Sequence, residues 1–255
     1  MINKKSQVTI FIIIAIVLIG LLIIIFYPRL SSLGAAPKTP SGYIEECMNQ
    51  HMGIIENITE RGGSLEPEHS IMYKENKIEY LCYTNEYYKT CTMQQPLLLE
   101  HVEKEISSYM KDKAETCLNE LINDYKSKGY QTSSSKPEVS TEIESGSIKI
   151  TINSKVTLTK GASENYEKFS IARNSEMYDL IMIASSILNW EAREGDSAPE
   201  TFMMYYPDIK IEKMKLEDGS KIYTLTHRIT GEKLVFATRS LSWPPGYGVD
   251  KYVNK

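Results

Sequence analysis

Residues 8–27, VTIFIIIAIVLIGLLIIIFY, form a twenty-residue run with no charged side chain and only two side-chain hydroxyls, those of Thr9 and Tyr27. No other feature constrains the chain as much. A helix rising 1.5 Å per residue spans roughly 30 Å over that length, the thickness of a bilayer's hydrocarbon layer. A helix also satisfies its own backbone groups, as an apolar solvent requires. Pro28 lacks the N–H that would continue the helix, and Tyr27 suits the membrane interface. The run predicts a transmembrane helix over 8–27. A secretory signal has a shorter apolar region, about 7–15 residues, followed by a small-residue cleavage site. Here Tyr27-Pro28-Arg29 follows instead. Lys4 and Lys5 precede the run without an acid, so the positive-inside tendency places residues 1–7 in the cytoplasm and the rest outside.

All four cysteines, Cys47, Cys82, Cys91 and Cys117, lie beyond the run. Four cysteines allow three pairings. Cys82 and Cys91 fall in two short strand-like segments, and a hairpin would set their sulfurs across from each other. Cys47 and Cys117 each fall in a helical segment. The favoured pairs are Cys82–Cys91 and Cys47–Cys117, as an extracytoplasmic domain permits. Buried free thiols and a zinc site are the alternatives. Zinc sites favour cysteines two to four residues apart, and the smallest gap here is eight. Asn57-Ile58-Thr59 is an acceptor triplet, making Asn57 a glycosylation candidate.

After a small-residue, proline-bearing linker at 28–41, helical spacing runs over 43–61 and ends at Gly62-Gly63. Short strands follow at 71–74 and 77–84. An amphipathic helix over 96–128 carries Leu98, Val102, Ile106, Met110, Cys117 and Leu121 on one stripe, with a register shift after Met110. Residues 133–137 read as a loop. Alternating apolar and polar residues predict antiparallel strands at 139–143, 147–152, 156–159 and 166–172. Asn174 or Ser175 caps a helix to Glu194, whose stripe is apolar except for Glu191. Strands at 209–216, 221–227 and 233–238 surround Asp218-Gly219 and Thr230-Gly231 turns. The expectation is an α+β ectodomain, helices on antiparallel meanders, in two lobes at 42–132 and 133–242 with a tail at 243–255.

The net charge of −4 removes any basic field for nucleic acid. No nucleophile elbow, phosphate loop, zinc-protease or EF-hand spacing occurs. His51 shares a helix face with Cys47, but a metal site needs three or four ligands. No catalytic residue, metal or cofactor is expected. Seventeen tyrosines against five phenylalanines are unusual. Tyr83, Tyr87, Tyr88, Tyr205 and Tyr206 are candidates for a binding surface, since tyrosine offers contact area at low entropic cost.

Lys4-Lys5-Ser6-Gln7-Val8-Thr9-Ile10-Phe11 with its isoleucine-rich run, Tyr43-Ile44-Glu45-Glu46-Cys47 and Gly62-Gly63 resemble the opening of uncharacterised single-pass surface proteins of small-genome archaea. The resemblance covers about the first sixty residues and implies a location rather than an activity. The same N-terminus resembles archaeal class III (pilin-type) signals, with Ser6-Gln7 at the cleavage junction. Phe11 stands where pilins carry an acid. Together these features predict an envelope protein, anchored in the lipid bilayer, whose outer domain binds or scaffolds other envelope proteins or surface glycans. A pilin-like filament subunit and a surface hydrolase of glycan or peptide are the rivals.

Overall fold

The computed structural model describes residues 16–19 and 39–242. Residues 16–19 are helical. The rest of the apolar run, segment 1–7 expected in the cytoplasm, most of the linker and the tail 243–255 lie outside the described residues. Among those described, no helix is long and apolar enough to cross a membrane.

The domain is α+β. Helices α1 (Pro40–Asn49) and α2 (Ile54–Thr59) replace the single helix expected over 43–61. The chain turns between them at 50–53, where the His51 N–H donates to Met48 O at 2.9 Å and the Ile54 N–H donates to His51 O at 3.2 Å. Strands β1 (Ser70–Tyr73), β2 (Asn76–Tyr83) and β3 (Thr92–Met93) lead to α3 (Leu98–Ser127). The expected register shift in α3 is bridged by Ala114, which fills the buried stripe between Met110 and Cys117 over thirty continuous residues.

Strands β4 (Gln131–Ser134), β5 (Glu138–Glu144), β6 (Ser147–Lys160) and β7 (Ala162–Asn174) make a four-stranded antiparallel sheet. The two strands expected at 147–152 and 156–159 are one fourteen-residue strand, β6, with an irregularity in its ladder between Asn153 and Val156. Alternation along the strand puts Ile148, Ile150, Ile152, Val156 and Leu158 on its buried face. Part of the expected loop at 133–137 is strand β4, because Gln131 to Ser134 pair with Thr159 to Val156. Helix α3 packs on β4 and β5. Glu103 Oε1 accepts the Ile143 N–H at 2.8 Å, joining the helix to the sheet.

Helix α4 (Met177–Glu194) is followed by the short α5 (Pro199–Tyr205) and by strands β8 (Ile209–Lys215), β9 (Ser220–His227) and β10 (Lys233–Arg239). The N-cap of α4 is Glu176 rather than Asn174 or Ser175, and the Ser175 hydroxyl just before it accepts the Met177 N–H at 3.2 Å. Glu232 adds a carboxylate there, accepting from the Ser175 hydroxyl and the Glu176 N–H, both at 2.7 Å. A negative charge suits the positive end of a helix dipole. Gly195 closes α4 in the left-handed conformation.

The second sheet has the order β1-β2-β10-β9-β8, with β3 also on β2. Two expectations change here. First, β2 and β10 run parallel, so the sheet is not a pure antiparallel meander. Second, this pairing joins strands from both sides of Ser133, and residues 44–242 fall in one compact unit. The lobes at 42–132 and 133–242 are therefore not successive blocks of sequence. The inner face of the second sheet carries Tyr223, Leu225, Leu234 and Phe236 beneath α4. Its outer face holds a smaller cluster of Ile78, Tyr80, Ile222, Val235 and Ala237.

Candidate functional site

Both cysteine pairs expected from the sequence are disulfides: Cys47–Cys117 joins α1 to α3, and Cys82–Cys91 joins β2 to the segment before β3. No cysteine is free among the described residues. A bridge spanning seventy residues restricts the unfolded chain more than one spanning nine. Asn57 is exposed on α2, while Thr59 of the same triplet is buried and its hydroxyl donates to Glu56 O.

The five candidate tyrosines do not share one surface. Tyr83 closes β2, where it pairs with Arg239 at the end of β10. Its half-buried ring stacks edge-on against His69 and Tyr80, with the Arg239 guanidinium 5.6 Å from its centre. Tyr87 and Tyr88 lie in the loop just beyond. Tyr88 is 80% exposed and sits at φ 59°, a conformation rare for a bulky side chain. The Tyr88 N–H donates to Leu241 O at 2.7 Å, and the Leu241 N–H donates to Lys89 O at 3.0 Å. These bonds hold the loop against the chain leaving β10.

Tyr205 and Tyr206 end α5, where β8 begins. The Ile209 N–H donates to Tyr206 O at 3.1 Å, and Arg228 Nε donates to Pro207 O at 2.9 Å. Arg228 thus fastens the α5–β8 corner to the β9–β10 turn. That end presents Met204, Tyr205, Tyr206 and Ile229, each at least half exposed. Because β10 starts at this end and finishes at the other, its seven residues put about 20 Å between the two tyrosine groups. On the outer face between them lies an open groove of about 580 Å³. Tyr73 and Lys74 line one side, Glu212 and Met214 the other, over Ile222 and Thr224. The first pair lies at the β1 edge and the second on the β8 edge strand of the same sheet.

Two polar clusters were not foreseen. In the first, Ser64 Oγ is hydrogen-bonded to Glu79 Oε2 and lies 2.8 Å from His101 Nε2. The chain reaches this position through Gly62 and Gly63, at φ 91° and 94°. A Cβ on Gly62 would stand 2.7 Å from Glu79 Cβ. Arg61 Nη1 donates to Leu65 O at 3.0 Å, and the Leu65 N–H donates to Glu105 Oε2 at 2.9 Å. Burial raises the Glu79 carboxyl above its ordinary range, against the opposing pull of Ser64, His101 and Gln95. The order of groups is acid, serine, histidine. A hydrolytic triad instead places histidine between acid and serine, so that the serine can give up its only proton to an oriented base. With Glu79 ionised, Ser64 donates to it and accepts from His101, which is the reverse of nucleophile activation. The cluster latches loop 61–65 onto β2 and α3.

The second cluster lies under α4. Glu191 is fully buried, with Lys221 Nζ donating to its Oε2 at 2.6 Å and the Tyr223 hydroxyl donating to Oε1. Burial, reinforced by the Glu191 charge, pushes the Tyr223 phenol far up. Nearby, Asp196 accepts from Lys213 at 3.0 Å and Lys215 at 2.8 Å, with Lys221 at 3.3 Å. Burial would raise its carboxyl, but Lys215, Lys221 and Lys213 outweigh burial and hold it at about 2. Every charge in this network has a partner of opposite sign, and the network closes the bottom of the α4–β8 corner. Its one sequence signal was an acid on the apolar stripe of α4.

No protein-family model matches the chain, and no curated protein or solved structure is significantly similar to it.

Proposed function

We propose that this chain is an extracytoplasmic envelope protein, carried on a transmembrane helix at 8–27, whose outer domain binds or scaffolds other surface components. The pairing of all four cysteines carries the reading, since structural disulfides persist in oxidising compartments. The twenty-residue apolar run and the two lysines before it supply anchor and orientation. The binding role is supported by exposed tyrosines held on fixed backbone at both ends of the six-stranded sheet. Rigid aromatic side chains lose little entropy on contact. The groove between them offers further contact surface for a neighbouring envelope protein or a surface glycan.

The test is labelling of intact cells with a membrane-impermeant, amine-reactive reagent. The proposal expects Lys136 and Lys168, both exposed, to be modified in intact cells, and Lys4 and Lys5 only after lysis. The reverse pattern overturns it.

A further inference from the structure

Cys47 sits in α1 and His51 in the turn that follows, four residues on. Cys117 and Glu120 sit one turn apart on α3. The sulfur atoms of Cys47 and Cys117 and a ring nitrogen of His51 lie within 4.8 Å of one another. Glu120 Oε2 lies 3.9 Å from Cys47 Sγ. Cys47 and His51 are half-buried, Glu120 is exposed and Cys117 is buried, so the cluster opens to solvent on one side.

We propose that reduction of the Cys47–Cys117 disulfide converts this cluster into a Zn²⁺ site with Cys47, Cys117, His51 and Glu120 as ligands. Two thiolates, an imidazole and a carboxylate are a tetrahedral zinc donor set. Ligand bonds of about 2.0–2.3 Å place the donors of a tetrahedral ion about 3.3–3.8 Å apart. Cys47, His51 and Cys117 lie within 4.8 Å of one another and Glu120 lies 3.9 Å from Cys47 Sγ, so the two sulfurs separate and the His51 and Glu120 side chains close in by rotamer changes once the S–S bond is broken. Cys117 and Glu120, three apart on α3, lie on one helix face, and the turn after α1 brings His51 to the Cys47 sulfur.

The chemistry balances with a dithiol as reductant. It transfers two electrons and two protons, leaving as a cyclic disulfide, while the S–S bond breaks and both cysteines become thiols. Zn²⁺ then displaces one proton from each thiol. The metal holds α1 against α3 in the reduced state, as the disulfide does in the oxidised one. The same cluster thus joins the two helices under either redox condition, through the two cysteines when oxidised and through all four ligands when reduced and metal-bound. This is independent of the domain's role in the envelope, because it rests on side-chain positions alone.

The test uses the full-length protein in detergent, reduced with a phosphine, with Zn²⁺ or Co²⁺ alone as probe. The oxidised protein is expected to bind neither metal at this cluster. The reduced protein is expected to bind one equivalent, with thiolate-to-cobalt charge-transfer absorption and release of two protons. His51→Ala and Glu120→Gln leave the disulfide in place, so both variants fold oxidised before reduction. Each is expected to weaken zinc binding at least about tenfold, since loss of an outer-shell partner alone costs that much. Unchanged affinity in both variants overturns the proposal, as does equal binding by oxidised and reduced protein. Helical signal lost on reduction and not restored by zinc overturns it too.

Discussion

The four-stranded and six-stranded sheets are held together by different means. In the four-stranded sheet every strand pairs with a neighbour from the same stretch, residues 131–174, and its ion pairs lie in water, as between Lys149 and Glu142. The six-stranded sheet joins β2 to β10 across more than 150 residues of chain. It carries the buried Glu191–Lys221–Tyr223 set, one disulfide and both tyrosine-bearing ends. Local pairing needs only alternation and turns. Distant pairing brings together residues that no short window contains, and there the polar chemistry collects.

The sharpest contrast is between two lysines. Lys221→Met leaves Glu191 buried without its cation, which costs about 3–5 kcal/mol. The expected fall in melting temperature is roughly 10 °C. Lys149→Met breaks only an exposed pair and should cost under about 0.5 kcal/mol. Thermal unfolding of the two variants side by side checks this, and similar losses would break the comparison.

Tyr223→Phe removes one donor from the same carboxylate. The expected loss is about 1–3 kcal/mol by urea unfolding, the range for a buried acceptor left short of a partner.

Acid titration separates two carboxylates. Asp196 is held at about 2 in the folded protein against 3.8 unfolded. Its stabilisation is full above the unfolded value and is lost as pH falls through about 2. Asp196→Asn should remove that acid-side slope. Glu79 is shifted the other way, above 4.5. Its stabilising contribution is full below 4.5 and lost as pH rises through the folded value, so Glu79→Gln should flatten the slope just above 4.5. Urea midpoints measured across this range read both effects.

The smallest expected change in stability is at the tyrosine tips. Tyr88→Gly relieves the positive φ, and Tyr205→Ser removes an exposed ring, each within about 0.5 kcal/mol of wild type. Both should nonetheless weaken retention of the detergent-solubilised protein on isolated envelopes. Unchanged retention in the double variant would remove the tyrosines from the binding role.

The same contrast explains what the sequence could show. Strands β1, β2, β5 and β7 to β10 and helices α3 and α4 were legible because alternation, periodicity and turn residues are local signals, while β6 read as two strands. Both disulfides were legible because few pairings exist. The break between α1 and α2 and the short α5 carry weak local signals and were missed. The parallel β2–β10 pairing was not legible, and with it went the separation of the tyrosines to opposite ends. The proximity of Ser64, Glu79 and His101 depends on how a loop, a strand and a helix meet, so no spacing could announce it. Glu191 left one trace, an acid on an apolar face.

The proposed function needs the domain outside the cell with its cysteines paired, on a chain that keeps its apolar run. The most direct test is the intact mass of the protein from native membranes, alkylated without reduction and again after it. A full-length chain with no adduct before reduction and four after is the expected result. Four adducts without reduction would contradict the account.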